Sequence, residues 1–398
     1  MQPTGPTRPP SDFPQLLGDL SRVRDRVIKE LTLGDPQIDE ALQHLVRHPG
    51  KFFRPALALT AAYLVAAESP VSEQVVTAGA TVELLHLATL YHDDLCDKAV
   101  VRRGVPTVNA RYGDDAALVL GDYLLTSALG LAASLGPEAI AAGVACAQQI
   151  CLGQLTELRA AGRLDRSVAG YLTSIAGKTA ELTSYSAMLG AIAAGADERR
   201  RQAFAAFGHH LGLAFQIWND LGDLAEPGRP DTEPDAAADS EPDIEPAAEA
   251  DSEPGTGPGA VPGTGPAAEA DTGEVTDADT GSTARSAGRD LGNGVYTLPV
   301  LYGLERAADT LRPLLAAPPR ADTAAEVAAI LRDCGALALA ADTANSQLRI
   351  AFAQLESVEL PYPEGALALR RTLAGLLPEV AEFVAGPAGS RESAKAAT

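Results

Sequence analysis

The chain has 398 residues, 46% hydrophobic and 21% charged, enough to bury a large core in one big domain or two. Its net charge of −22 argues against a nucleic-acid partner. Sixteen acids against one base (Arg229) fall in residues 226–281 and account for −15 of that total, so the remainder is only mildly acidic.

Residues 1–12, with Pro3, Pro6, Pro9 and Pro10, read as a tail without a signal-peptide pattern, so a cytoplasmic protein is expected. From there apolar residues recur at three and four, and β-branched alternation is rare. Helices are predicted over 37–48, 54–67, 73–94, 114–135, 138–161, 167–195, 198–223, 298–311 and 323–357, and a sheet is not expected. The longest apolar stretch, 118–134, is interrupted by Asp122 and Tyr123 and reads as a core helix, not a membrane span. The expectation is one all-α domain over 13–386, with a flexible tail at 387–398. An acidic Pro/Gly/Ala-rich insertion at 226–284 has almost no large apolar residue to offset ordering entropy, so it is expected to be disordered. The cysteines Cys96, Cys146, Cys151 and Cys334 form neither a zinc spacing nor a disulfide framework.

Polar groups interrupt these helices in a definite order. Gly50-Lys51-Phe52-Phe53-Arg54-Pro55 puts two cations three apart at a helix start, where backbone N–H groups favour an anion. His86 lies two turns before His92-Asp93-Asp94-Leu95-Cys96-Asp97, in which Asp93 and Asp97 stack one turn apart on one helical face. Arg102-Arg103-Gly104 follows. A carboxylate pair with adjacent arginines suits a diphosphate: the acids grip Mg²⁺, which bridges phosphate oxygens, and the guanidiniums take the remaining charge. Further on come Gly153-Gln154 with Glu157, Gly177-Lys178-Thr179, and Phe215-Gln216-Ile217-Trp218-Asn219-Asp220-Leu221-Gly222-Asp223, a second acidic cluster. Any one of these has a bland explanation: a surface cation, a satisfied core histidine, a solvated acidic face. Their joint occurrence in this order does not.

That ensemble, with the run from Gly288 to Pro299, resembles the trans-polyprenyl diphosphate synthases, which have the all-α type I isoprenoid synthase fold: a helical bundle around a central apolar cavity. The resemblance implies condensation of isopentenyl diphosphate with an allylic diphosphate, using about three Mg²⁺ ions. On it, Lys51, Arg54, His86 and Arg103 bind isopentenyl diphosphate, while Asp93, Asp94, Asp97 and Arg102 serve the allylic diphosphate. Lys178, Thr179 and Gln216 complete the allylic site, and Asn219, Asp220 and Asp223 belong to the second metal cluster. A homodimer is implied, with a heteromer as alternative and no stable membrane insertion.

Three positions depart from the family pattern. Asn219 stands where an Asp opens the second motif, Arg285 replaces a lysine with its charge kept, and Val295 replaces a lysine with its charge lost. The residues four and five before the first Asp, Thr89 and Ala88, lack the aromatic bulk that ends chain growth early. The cavity then opens toward Leu85, which implies a product longer than farnesyl, geranylgeranyl or beyond. Two alternatives stand beside the synthase. Asn219-Asp220 fits the second motif of a type I terpene cyclase, although a cyclase has no use for Lys51, Arg54 and Arg103 as a second diphosphate site. Asn219 and Val295 would also suit a weakly active regulatory subunit of a heteromeric synthase.

Overall fold

The computed structural model describes residues 15–48, 50–66, 70–225, 289–316, 323–361 and 365–377. The acidic insertion, the two tails and Arg285 lie outside the described residues. The chain begins with α1 (Leu16–Glu30), α2 (Pro36–Leu42), α3 (His44–Arg47), α4 (Phe53–Val65) and α5 (Glu73–Asp97). A two-stranded ribbon follows, β1 (Val101–Arg102) and β2 (Val105–Pro106), then α6 (Val108–Tyr112), α7 (Asp114–Ser134) and α8 (Pro137–Ala160). Next come α9 (Val168–Ile175), a π-helical turn (Ala176–Ala180), α10 (Glu181–Ala193) and α11 (Glu198–Ala225). The remaining helices are α12 (Arg289–Gly292), α13 (Leu298–Arg306), α14 (Ala308–Ala316), α15 (Thr323–Asp333), α16 (Ala336–Glu356) and α17 (Gly365–Leu376).

Helix α5 is the axis of the bundle. Ser72 caps it by accepting the Val75 N–H, and its 25 residues span roughly 37 Å before Lys98 turns into the left-handed region and ends it. It is apolar on nearly every face, as a helix packed on all sides must be, and α1, α4, α7 and α10 surround it. Val82, Leu85, Ala88 and Tyr91 sit in the core shared with α1, α4 and α7. A second core lies between α4, α11, α16 and α17, and a third between α9, α11, α13, α15 and α16. Helices α4 and α11 thus tie the parts together, and the ends of α5 and α11 carry the two acidic motifs.

Several elements differ from the sequence expectation. The helix expected over 37–48 breaks at Gln43, and that over 298–311 breaks at Ala307. The helix expected over 323–357 breaks at Gly335, whose φ of +76° only glycine adopts freely. Helices α1 and α17 were not anticipated. The ribbon at 101–106 has a specific cause: Arg103 (φ 53°) and Gly104 (φ 74°) both take positive φ, as the two central residues of a type I′ hairpin turn do.

Helices α7 and α8 pack one face into the core, through Ala117, Leu124 and Ala128 of α7 and Ala139, Cys146 and Ile150 of α8, and leave much of the rest exposed. Each has an 18-residue apolar window long enough to cross a membrane, but only 33% and 28% of the two windows is buried. Val119 (64% exposed), Leu155 (56%) and Leu152 (54%) form part of the apolar surface left uncovered.

Candidate active site

The three acids at the end of α5 do not share one environment. Asp93 is half-buried and Asp97 exposed, and neither carboxylate is bonded to another described residue. Burial pushes the Asp93 pKa up, with Asp97 adding to it and Lys178 opposing it. Asp94, one residue further round the helix, is 1% exposed and held by Arg102, whose Nε lies 2.7 Å from Oδ1 and 2.9 Å from Oδ2. Its position differs from that of the other two acids: it orients Arg102, while Asp93 and Asp97 face outward.

The hairpin turn sends its two arginines opposite ways. Arg102 returns to Asp94, while Arg103 Nη1 donates to the carbonyls of Leu45 (3.3 Å) and His48 (3.0 Å). A Cβ on Gly50 would lie 2.7 Å from Arg103 Nη2, so the glycine leaves room for the guanidinium against the backbone that leads to Lys51. Lys51 is half-buried and Phe52 takes a left-handed conformation (φ 49°), a strained geometry for a bulky residue of the kind found at ligand sites. Arg54 Nη1 donates to His86 Nε2 at 3.0 Å. A guanidinium only donates, so this imidazole is neutral with its proton on Nδ1. Burial and the charges of Arg54, Arg103 and Arg102 hold the His86 pKa well below its ordinary value. Burial lowers Arg54 to about 10, and Glu83, a nearly fully buried carboxylate on the same face of α5, partly offsets that. Arg54 Nε and His86 Nδ1 are buried polar atoms without a partner, free to meet an acceptor.

Across the mouth of α5, Lys178 emerges from the π-helical turn. Such turns recur at functional sites because the extra residue re-aims a side chain. Two glycines allow the close approach behind it: a Cβ on Gly153 would lie 2.4 Å from Lys178 N, and one on Gly177 would lie 2.6 Å from the Gln149 carbonyl. The result is a 2.7 Å ion pair between Lys178 Nζ and Glu157 of α8. Burial works against the ammonium, but Asp93, Glu157 and Asp97 together outweigh it and raise the Lys178 pKa.

The second acidic motif is tied into a hydrogen-bond relay. Thr179 Oγ1 donates to Gln216 Oε1 (2.9 Å), and Gln216 Nε2 donates to Asp220 Oδ1 (2.8 Å). Tyr171 OH donates to Asp220 Oδ2. Asp220 is buried, and its pKa is pushed up to about 8 by burial and by Asp290 and Asp223, against the pull of the two hydrogen bonds. Asn219 is exposed and Asp223 half-buried. Thr179, Gln216, Asp220 and Lys178 thus converge, whereas Arg285 lies outside the described residues. Tyr171, Arg166 and Asp290 were not singled out in the sequence. Tyr171 stands two turns before Lys178 in an apolar helix, and Asp290 lies inside the run from Gly288; both are legible only as spacing, because their partners are distant in the chain. Below the acids, Ala88, Leu85 and Thr81 are 1–2% exposed, and Thr89 is half-buried with its hydroxyl on the His86 carbonyl.

The donor set fits Mg²⁺ of a particular kind. Among the described residues no three carboxylate, histidine or cysteine side chains gather to cage an ion. Mg²⁺ is commonly held by one or two carboxylates plus phosphate oxygens and water, and the outward pair Asp93 and Asp97 matches that need.

Residues 35–235 match the family model described as polyprenyl synthetase. The nonaprenyl diphosphate synthase of Mycobacterium tuberculosis is 32% identical over 362 residues, covering 90% of each chain. Heptaprenyl diphosphate synthase component 2 of Geobacillus stearothermophilus is 35% identical over 210 residues, 52% of this chain and 65% of that one. Among solved structures, a decaprenyl diphosphate synthase from Rhodobacter capsulatus superposes with a TM-score of 0.72 at 26% identity, covering 95% of this chain and 100% of that one. A geranylgeranyl pyrophosphate synthase from Corynebacterium glutamicum, complexed with calcium and isoprenyl diphosphate, superposes at 0.67 with 29% identity, covering 93% and 96%.

Proposed function

The chain belongs to the polyprenyl synthetase family, the prenyltransferases that elongate prenyl diphosphates, and from that premise we propose the substrates, metal and residue roles that follow. The reaction is condensation of isopentenyl diphosphate with an allylic diphosphate in the presence of Mg²⁺. One observation carries the reading: two separate basic groups flank a single outward carboxylate pair. Arg54 and Arg103 form one group, with the neutral His86 bonded to Arg54 and Lys51 at its edge; Lys178 and Arg102 form the other. Two diphosphates need two such groups, whereas a cyclase handles one.

In this reading Asp93 and Asp97 would hold the metal that accompanies the allylic diphosphate, and Asp220 and Asp223 would supply the second set of carboxylates. When bound, Mg²⁺ supplies Lewis-acid stabilisation of the charge that develops on the leaving group. Lys178, kept protonated by its acidic neighbours, and Arg102, fixed by Asp94, place two permanent positive charges beside the same oxygens. Arg54 and Arg103 orient isopentenyl diphosphate so that its double bond meets the allylic carbon. The buried apolar lining below the acids keeps water from the cation, and the proton lost from the coupled product leaves with the diphosphate. No side-chain base is assigned.

The small residues Ala88 and Thr89 support a product longer than farnesyl, geranylgeranyl or beyond. We assign a cytoplasmic homodimer in which the exposed apolar face of α7 and α8, with Val119, Leu152 and Leu155, is covered by a second copy. Asn219 weakens one metal position, since an amide is a poorer Mg²⁺ ligand than a carboxylate.

The test is incubation of the purified chain with Mg²⁺, isopentenyl diphosphate and, separately, dimethylallyl, geranyl, farnesyl and geranylgeranyl diphosphates. Products are read by mass spectrometry before and after phosphatase, with a parallel chelator control. A ladder of longer linear diphosphates, lost on chelation, is the expected result. A hydrocarbon or alcohol formed without isopentenyl diphosphate would make the protein a cyclase. No turnover by the isolated chain would make it a subunit of a heteromer, and sedimentation of the same sample reads the dimer.

A further inference from the structure

Resting on the synthase reading above, we propose that Arg166 is a positioning residue for the second acidic cluster. It lies in the loop between α8 and α9, away from every motif that singles out the site in the sequence. Its guanidinium nevertheless joins three parts of that site. Nη1 donates to the Tyr296 carbonyl (3.1 Å), in the segment that returns after the acidic insertion. Nη2 donates to Ser174 Oγ of α9 (2.7 Å), a side chain with no exposed surface. Its Cζ stands 5.3 Å from the centre of the Tyr171 ring, the tyrosine whose hydroxyl holds Asp220.

The returning segment is what brings Asp290 to Asp220, and it docks on this loop. The Gly162 N–H donates to the Gly294 carbonyl (2.8 Å), and the Val295 N–H donates to the Asp290 carbonyl (2.7 Å). Arg166 supplies the side-chain half of that docking and reaches Asp220 through the Tyr171 ring. Its Nε is buried without a partner. An unmade hydrogen bond at a buried charged group is costly, so the guanidinium is not placed there for its own satisfaction. The placement serves the two carboxylates instead. Through Tyr171 it fixes how Asp220 points, and through Tyr296 it fixes where the Asp290 segment sits, so both acids meet a metal–diphosphate ligand already oriented. One N–H of each Nη is given to Tyr296 and Ser174, and on those bonds we assign Arg166 a role through its neighbours, that of a positioning residue.

The chain contains a single tryptophan, Trp218, next to Asn219 and Asp220, which gives a readout independent of turnover. The full-length protein is titrated with Mg²⁺ and inorganic pyrophosphate while Trp218 emission is followed. The Michaelis constants for isopentenyl diphosphate and farnesyl diphosphate are measured alongside. Wild type is compared with Arg166→Gln, Arg166→Lys, Tyr171→Phe and the Arg166→Gln/Tyr171→Phe double variant, each checked for native circular dichroism. Arg166→Gln is expected to raise the half-saturating Mg²⁺–pyrophosphate concentration by about tenfold, the size of one hydrogen bond to a charged group. The constant for isopentenyl diphosphate should stay within about twofold, and Arg166→Lys should fall between Gln and wild type. Because both residues act along one chain, the double variant should be no worse than the poorer single one. Unchanged titration in Arg166→Gln, fully additive effects, or an equal rise in both Michaelis constants would overturn the proposal. If Arg166→Gln does not fold, Arg166→Lys and Tyr171→Phe carry the same test. Wild-type turnover separates the two readings: a chain that binds Mg²⁺–pyrophosphate at Trp218 but never extends a prenyl chain refutes the synthase and not the role of Arg166.

Discussion

Substituting Gly153→Ala adds one methyl group at the back of the site. The new Cβ would lie 2.4 Å from Lys178 N, 2.8 Å from Gly177 C and 2.9 Å from the Ser174 carbonyl oxygen. All three are backbone atoms, so no rotamer change relieves the clash. Ordinary contact begins near 3.4 Å, so α8 and the π-helical turn must separate by about 1 Å. That movement stretches the 2.7 Å ion pair between Lys178 and Glu157 beyond bonding distance. Overpacking of this kind costs about 1–3 kcal/mol of stability. A 1 Å misplacement of a catalytic group costs roughly a hundredfold in rate. The assay pairs thermal unfolding with initial rates on isopentenyl and farnesyl diphosphates, and Gly18→Ala serves as control. Gly18 has nothing within 4 Å of a new Cβ and should be neutral or gain up to about 1 kcal/mol. A Gly153→Ala protein with wild-type rate and melting temperature would refute the claim that backbone contact between α8 and the π turn positions Lys178.

Four further outcomes are expected. Arg102→Leu removes the guanidinium bonded to both oxygens of the 1%-exposed Asp94 carboxylate and should cost about 3–5 kcal/mol in urea unfolding, with Asp94→Asn added to it restoring much of the stability but not the activity; wild-type stability of Arg102→Leu would sink the pairing argument. His86 has a folded pKa below its unfolded value, so the unfolded chain binds the extra proton and stability falls as pH drops through the unfolded value toward the folded one. The slope is at most about 1.4 kcal/mol per pH unit, less the screening of a half-buried ring, and urea midpoints at pH 5 and 7 should converge in His86→Gln; identical pH dependence would refute it. Ala88→Phe puts an aromatic ring into the buried face below the acids and should shorten the product ladder read by mass spectrometry, whereas an unchanged end point would remove α5 as the determinant of length. Iodoacetamide on the native protein should modify the exposed Cys96 while sparing Cys146, whose burial pushes its pKa up; labelling of Cys146 at the rate seen in denaturant would contradict its core position.

Much of this protein was legible as sequence. Helical periodicity, the scarcity of β-branched alternation and the order of the polar interruptions led to an all-α bundle with acids at the ends of two long helices, because those signals are local. Spacing alone put Asp93 and Asp97 on one face of α5. It could not distinguish Asp94, which the same motif contains, since its burial depends on a hairpin whose hand is set by positive φ at Arg103 and Gly104. Nor could it separate core from surface on α7 and α8: an apolar helix has the same composition whether it packs inside the monomer or presents its face to a second copy. Glu157 with Lys178, Arg54 with His86, and Arg166 with Tyr171 and Tyr296 are pairings across long chain separations, and no pattern within a helix encodes them. Residue type and local period therefore determined the bundle and the chemistry available to it. Which charges face outward and which are spent holding one another was decided by close packing, where a glycine-allowed approach of about 1 Å sets who reaches whom.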